Sequence, residues 1–184
     1  MSDLNEKCLD IFPNWLRSLG EDVDAVLAAA EAEGLDDGAK RQLVAGINYL
    51  FKSLDLIPDG IDDIGYLDDA FVLRVSAHLV GKEAQEQVGD DRASALAALA
   101  EATDLIEEFI GAKVYERLVN YTKELVQSSA RGRSVDDIVG DGDTWREFAS
   151  EVRNFSKGYE SPSFSREEKN LIKLRAFFDA KLPR

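Results

Sequence analysis

"LDLIPDGIDDIGYLDD", Leu54 to Asp69, places six aspartates in sixteen residues, with no lysine or arginine among them and aliphatic residues threaded between. Pro58 drives Ile57 toward an extended backbone, Pro-Asp-Gly at 58 to 60 is a turn signature, and Gly65 allows a second change of direction. The stretch therefore interrupts any helix that reaches it. On both sides apolar residues recur at intervals of three and four: Leu43, Ile47, Leu50 and Leu54 before it, then Leu96, Leu99, Thr103, Ile106 and Ile110, then Val114, Leu118, Tyr121 and Leu125. Few alternating β-branched runs leave material for strands. These spacings predict an all-α protein, an irregular multi-helix bundle with an acidic, Pro- and Gly-containing link between its third and fourth helices.

Outward from the link, a first helix is expected over 3–19 with Pro13 as a kink or boundary, and a second over 22–33 ending at Gly34 in a left-handed closing conformation. Asp36 and Asp37 supply the N-cap of the third. The fourth starts near Tyr66 and runs to about Val80. Two long amphipathic segments fill 91–129 and meet at Gly111. The Gly-, Asp- and Ser-rich string "ARGRSVDDIVGDGD" at 130–143 reads as a connection. Thr144 with Glu147, and Ser165 with Glu168, have capping-box spacing, so final helices are expected over 145–157 and 166–180. The organisation expected is one domain over 1–184: a main helical body at 1–129, the connection at 130–143 and C-terminal helices at 144–184.

A chain of 184 residues, 45% hydrophobic and 32% charged, has enough apolar material for one substantial core despite a net charge of -14. That charge opposes binding to nucleic acid phosphates and anionic membrane surfaces. Cys8 is the only cysteine, so no intramolecular disulfide and no thiolate cluster can form. The acidic N-terminus does not read as a secretory signal, and the apolar run at 70–81, broken by Arg74 and His78, is too short to span a bilayer. A cytoplasmic location is expected.

Local structure accounts for Asp59 in the turn and for Asp68 and Asp69 in the first turn of the following helix, where the dipole contributes roughly 0.3 to 1 kcal/mol each. Asp55, Asp62 and Asp63 are left over. If the turns fold the segment back on itself, like charges about 5 Å apart cost roughly 0.8 kcal/mol per pair in water-like dielectric and about 3 in a partly buried site. A compact arrangement then needs a cation, a basic side chain such as Lys52 or Arg74, or carboxyls that keep their protons. Magnesium or calcium would take such oxygen ligands. The EF-hand spacing fails, because a frame from Asp62 puts Ile64 and Tyr66 at ligand positions; the DDxxD spacing fails at Val72.

Asp55, Leu56, Ile57, Pro58, Asp59, Ile61, Gly65, Asp68 and Asp69 fit a pattern of the form P-x-D-L-I-P-D-F-I-P-x-x-G-x-x-D-D. By this pattern the segment resembles the YkvA-like family (domain of unknown function 1232), a bacterial domain family, over roughly 40–83. Ser53 and Asp62 stand where that pattern has proline, and Gly60 where it has an aromatic residue. The resemblance implies no activity or cofactor. Many relatives carry membrane-spanning segments beside the motif, and a related segment occurs in a membrane-anchored ubiquitin ligase of eukaryotes, but this chain lacks an equivalent segment. Asp55, Asp59, Asp68 and Asp69, shared with the pattern, are the preferred metal ligands; Asp62 and Asp63 come second.

Elsewhere, His78 is the only histidine, reading as a partly buried structural residue on a basic stripe with Arg74 and Lys82. Cys8 reads as a small core residue, Arg131 and Arg133 as a solvated connection able to catch an anion, and Trp15 and Trp145 as core. The functional expectation is a protein-binding or scaffolding module organised by the aspartate link. The alternative is a magnesium- or calcium-dependent enzyme, such as a hydrolase, in which the metal would generate or orient the nucleophile.

Overall fold

The computed structural model describes residues 2–61 and 63–184. The protein is all-α, with helices α1 (Asp3–Ala30), α2 (Asp37–Asn48), α3 (Leu67–Leu79), α4 (Gly81–Glu86), α5 (Asp90–Glu101), α6 (Thr103–Ile110), α7 (Ala112–Glu124), α8 (Val135–Gly140), α9 (Gly142–Gly158) and α10 (Glu168–Lys181). A short antiparallel hairpin, β1 (Ser129–Ala130) with β2 (Arg133–Ser134), interrupts the helices, and a 3-10 turn, Tyr49–Phe51, closes α2. No helix among the described residues is long and apolar enough to cross a membrane.

The two helices expected before residue 34 are one, α1, which runs through Pro13 and Gly20. Pro13 is buried inside it, and the loss of one backbone bond there is outweighed by the packing of that face. Gly20 stays helical because α9 crosses it: a Cβ at Gly20 would lie 3.1 Å from the Ser156 carbonyl oxygen. Gly34 does not take the left-handed conformation, since α1 ends three residues earlier on an ordinary turn at Glu31. The acidic link consequently joins α2 to α3, the second and third helices. Asp36 caps α2 as expected, accepting from the Ala39 amide at 2.9 Å.

Further along, α5 and α6 break at Ala102, and Gly111, at φ 83, turns the chain into α7. Helix α9 is capped by Asp141, which accepts from the Thr144 amide at 2.8 Å and leaves Thr144 inside the helix. The capping box present in the connection is instead Ser134 with Asp137, on α8.

An aromatic group fills the centre. Phe71 on α3 stacks on Phe178 of α10, centroids 5.1 Å apart and planes at 10°, while Phe12, Trp15 and Phe109 each meet Phe71 edge-on and Phe12 also meets the other two. Truncating Phe71 to Ala would cost about 3 to 5 kcal/mol. The C-terminal helices share this core: Ser156 on α9 donates to the Gly20 carbonyl at 2.9 Å, and Tyr159 donates to the Leu16 carbonyl at 2.7 Å.

Candidate functional site

The link is held from below by its aliphatic residues. Leu56, Ile57, Ile64 and Leu67 are buried in the core, while Leu54, Pro58 and Asp59 face outward. Two turns carry the chain over this base, with the Ile61 amide on the Pro58 carbonyl at 3.0 Å and the Gly65 amide on the Ile61 carbonyl at 2.9 Å. Gly65 is required by space: a Cβ there would lie 2.4 Å from the Asp59 carbonyl oxygen. The left-handed residues are its neighbours Asp63, at φ 71, and Tyr66, at φ 67. Non-glycine residues rarely adopt that conformation, so both are held by their surroundings.

This path draws Asp68 and Asp69 into the core at the start of α3, with exposures of 0% and 3%. Asp68 Oδ2 accepts from the Tyr49 hydroxyl at 2.6 Å and from the Ile57 amide at 3.0 Å, and the same Tyr49 oxygen accepts the Leu56 amide at 2.7 Å. One tyrosine, in the 3-10 turn that follows α2, thus ties both ends of the link together. Nothing in the apolar spacing distinguished its hydroxyl; a buried tyrosine's need for a polar partner was the only hint.

Three carboxylate oxygens in this region, Asp55 Oδ1, Asp68 Oδ1 and Asp69 Oδ2, are buried with no hydrogen-bond partner among the described residues. Burial, followed by the neighbouring Asp68 and Asp59 charges, raises the Asp55 carboxyl to about 7. Burial raises Asp68 to about 6 against the opposing bonds from Tyr49 and Ile57. Asp69, with burial first and then Asp68, Asp59 and Asp55 acting on it, is raised well above the usual carboxylate range. Asp59 is raised by partial burial although its side chain reaches solvent.

Asp55, Asp59, Asp68 and Asp69 therefore feel one another's charge. Asp63 lies elsewhere: it accepts from the Ser165 hydroxyl at 2.6 Å and from Asn170 Nδ2 at 3.1 Å, bonds that hold its carboxyl below the usual range. Ser165 is occupied by this contact, which is why it does not cap α10. Asp62 lies outside the described residues.

Among the described residues, neither basic residue expected to balance the aspartates forms an ion pair with them. Arg74 instead pairs with Asp22 at 3.0 Å and lies 4.2 Å from the Trp15 ring. Lys52 is half-buried and acts on Asp55 only at a distance. Among the described residues no three His, Cys, Asp or Glu side chains are arranged to hold a metal ion.

The remaining candidates resolve simply. His78 is exposed, not partly buried, because α3 turns it outward at its end; its Nδ1 lies 3.4 Å from Thr103 Oγ1. Cys8 is fully buried, and desolvation raises its thiol to about 11. Arg131 and Arg133 are taken by Glu151, at 3.3 and 2.7 Å, and so do not await an anion. Trp15 is core, whereas Trp145 is half-exposed beneath Lys40, whose Nζ lies 4.3 Å from its ring.

The fold and site define an all-helical protein in which a turn-rich link buries a carboxylate cluster between two helices. Residues 39–74, which are α2, the link and the first part of α3, match the family described as a protein of unknown function (DUF1232). No curated protein and no solved structure matches the chain.

Proposed function

We propose that the chain is a helical binding module whose aspartate link takes a divalent cation, magnesium in the first place. The observation that supports this is the set of buried, unpartnered oxygens on Asp55, Asp68 and Asp69. An unsatisfied carboxylate oxygen in the interior is costly unless a cation or a proton meets it. Magnesium commonly binds through one or two carboxylates and keeps several waters, whereas calcium wants six to eight oxygens. The exposed Asp59 and half-exposed Asp55 give the hydrated side of such an ion an outlet. A binding role is favoured over hydrolysis because Asp68 and Asp69, at 0% and 3% exposure, are out of reach of a substrate.

The test is thermal unfolding of the full chain in chelator, then with magnesium, manganese, calcium or potassium, for wild type and Asp69→Asn. A ligand at one hundred times its Kd adds about 2.7 kcal/mol of stability. Stabilisation by magnesium that disappears in Asp69→Asn supports the reading; no stabilisation of wild type by any of the divalent ions removes it.

The protein-binding reading draws on a separate observation, Leu54, which is 85% exposed on the outer face of the same link. A photocrosslinker at Ser53 in the native host tests it. A defined crosslinked product that is lost in Leu54→Ser supports a contact there, and an identical product in both proteins argues against it.

A further inference from the structure

The end of α9 meets Tyr66, the residue that caps α3, and the meeting is aromatic. Phe155, Tyr159 and Tyr66 form a triangle with ring centroids 5.4, 5.6 and 6.3 Å apart and planes inclined at 35°, 89° and 55°. Rings so inclined are walls and not a stack. They line a cavity of about 290 Å³ together with Asn154, Gly158 and Glu160. All three rings are half-buried, and two are pinned from outside the recess. Tyr159 donates its hydroxyl to the Leu16 carbonyl at 2.7 Å, and Tyr66 stands at φ 67, a conformation that a bulky residue adopts only where its surroundings impose it. Other rings of the protein already carry a cation from the chain, Arg74 at Trp15, Arg175 at Phe109 and Lys40 at Trp145. Among the described residues no Lys or Arg lies over Tyr66, Phe155 or Tyr159. The one charged side chain among the described residues lining the recess is acidic, Glu160.

We propose that this recess binds a small quaternary ammonium cation with a neutral polar tail, an amino alcohol of the choline kind. The site is independent of the divalent-cation reading and uses none of its aspartates. With the centroids this close, one cation can sit within about 6 Å of all three and be drawn to the negative faces of the rings. A quaternary ammonium suits such walls because its methyl groups hold water weakly, so aromatic carbon replaces solvent at little cost. A primary ammonium or a magnesium ion would have to surrender a strong hydration shell to rings that cannot replace it. Exposed Glu160 adds an opposite charge, and Asn154 beside it offers an amide to a hydroxyl tail. A net charge of -14 opposes an anionic tail, which sets the site against betaine and phosphocholine. Because the rings are packed before the ligand arrives, little ordering is required on binding.

The experiment is proton NMR of the full chain titrated with choline chloride, with betaine, and with dimethylbutanol, the uncharged carbon isostere of choline. The choline methyl protons should shift upfield in the ring currents, and the Tyr66, Phe155 and Tyr159 resonances should move along one saturation curve. The isostere has the shape without the charge and should bind about tenfold more weakly or worse, as should betaine. Phe155→Leu should weaken choline by about tenfold. Gly158→Leu should abolish binding with the rings left in place, since nothing lies within 4 Å of a Cβ there and the new side chain fills the recess. No saturable choline shift overturns the site, and so does retention on phosphocholine vesicles without binding of free choline. Equal binding of choline and the isostere overturns the role of charge, and equal binding of betaine overturns the neutral tail. The wild-type titrations need no variant, so a poorly folding Phe155→Leu does not remove the test.

Discussion

The Tyr49 hydroxyl donates to Asp68 Oδ2 at 2.6 Å while accepting the Leu56 amide at 2.7 Å, so one oxygen joins the end of α2 to both ends of the link. Tyr49→Phe keeps the ring in the core and leaves Asp68 and the Leu56 amide each short of a partner. The expected loss is about 1 to 3 kcal/mol in urea unfolding, with the slope of the transition unchanged. A loss below about 0.5 kcal/mol would mean that the link holds its path without this bond.

Raised carboxyls give the cation-free protein a definite pH dependence. Asp55 at about 7 and Asp68 at about 6 bind protons in the folded state that they have already lost in the unfolded chain. Their contribution is therefore fully present below the ordinary carboxylate value and is lost as pH rises through 6 and 7. Asp63, held low by Ser165, acts with the opposite sign, and its contribution is lost only below that ordinary value. In chelator, the urea midpoint should be higher at pH 5 than at pH 8. A midpoint that rises over that interval contradicts the assignment.

Replacing Asp69 removes a buried charge that has no hydrogen-bonded partner on Oδ2. Because burial holds the Asp69 carboxyl well above the usual range, Asp69→Asn in chelator at pH 8 should be more stable than wild type by about 1 to 2 kcal/mol, and the difference should narrow as the pH falls toward the ordinary carboxylate value. Denaturant curves at the two pH values supply the check.

Gly65 has no room for a side chain, because an added Cβ would meet backbone and not a movable group. Gly65→Ala should cost about 1 to 3 kcal/mol in thermal unfolding. Gly60→Ala, in the same link with nothing within 4 Å of its would-be Cβ, is the matched control and should change stability by less than about 0.5 kcal/mol.

The clasp between Asp63 and the Ser165–Asn170 pair fastens the start of α10 to the link. Asp63→Ala should expose residues 159–167 to proteolysis and speed amide exchange in the first turn of α10, while α2 and α3 keep their protection. Unchanged exchange in α10 would show that its other contacts suffice.

Much of this was legible in the residues and the missing parts share a cause. The all-α class, the α2 cap at Asp36 and the turns around Pro58 are local, and period and turn chemistry identify them. The joining of two expected helices into α1 depends on Ser156, 136 residues from Gly20, and an isolated glycine costs about 1 kcal/mol in a helix unless such a partner is present. Ser165 looked like a helix cap for lack of any sign that Asp63, 102 residues away, would occupy its hydroxyl. For the site, the turns made crowding of the aspartates conceivable and the family pattern singled out Asp55, Asp59, Asp68 and Asp69, but Tyr49 had no such sign, since a tyrosine at a helix end gives no indication of where its oxygen will point. Arg74 was expected near the aspartates and is held by Asp22 on α1, a pairing set by how the helices cross.

Phe71 on Phe178, Arg74 on Asp22 and Asp63 on Ser165 have one practical result. Each joins the 39–74 segment to a residue outside it, so the segment behaves like a keystone, stable through what leans on it from both sides. Excised as a peptide, it would present bare rings and orphaned charges to water. Anyone transplanting the motif into another scaffold would have to supply a replacement for α1 and α10 along with it.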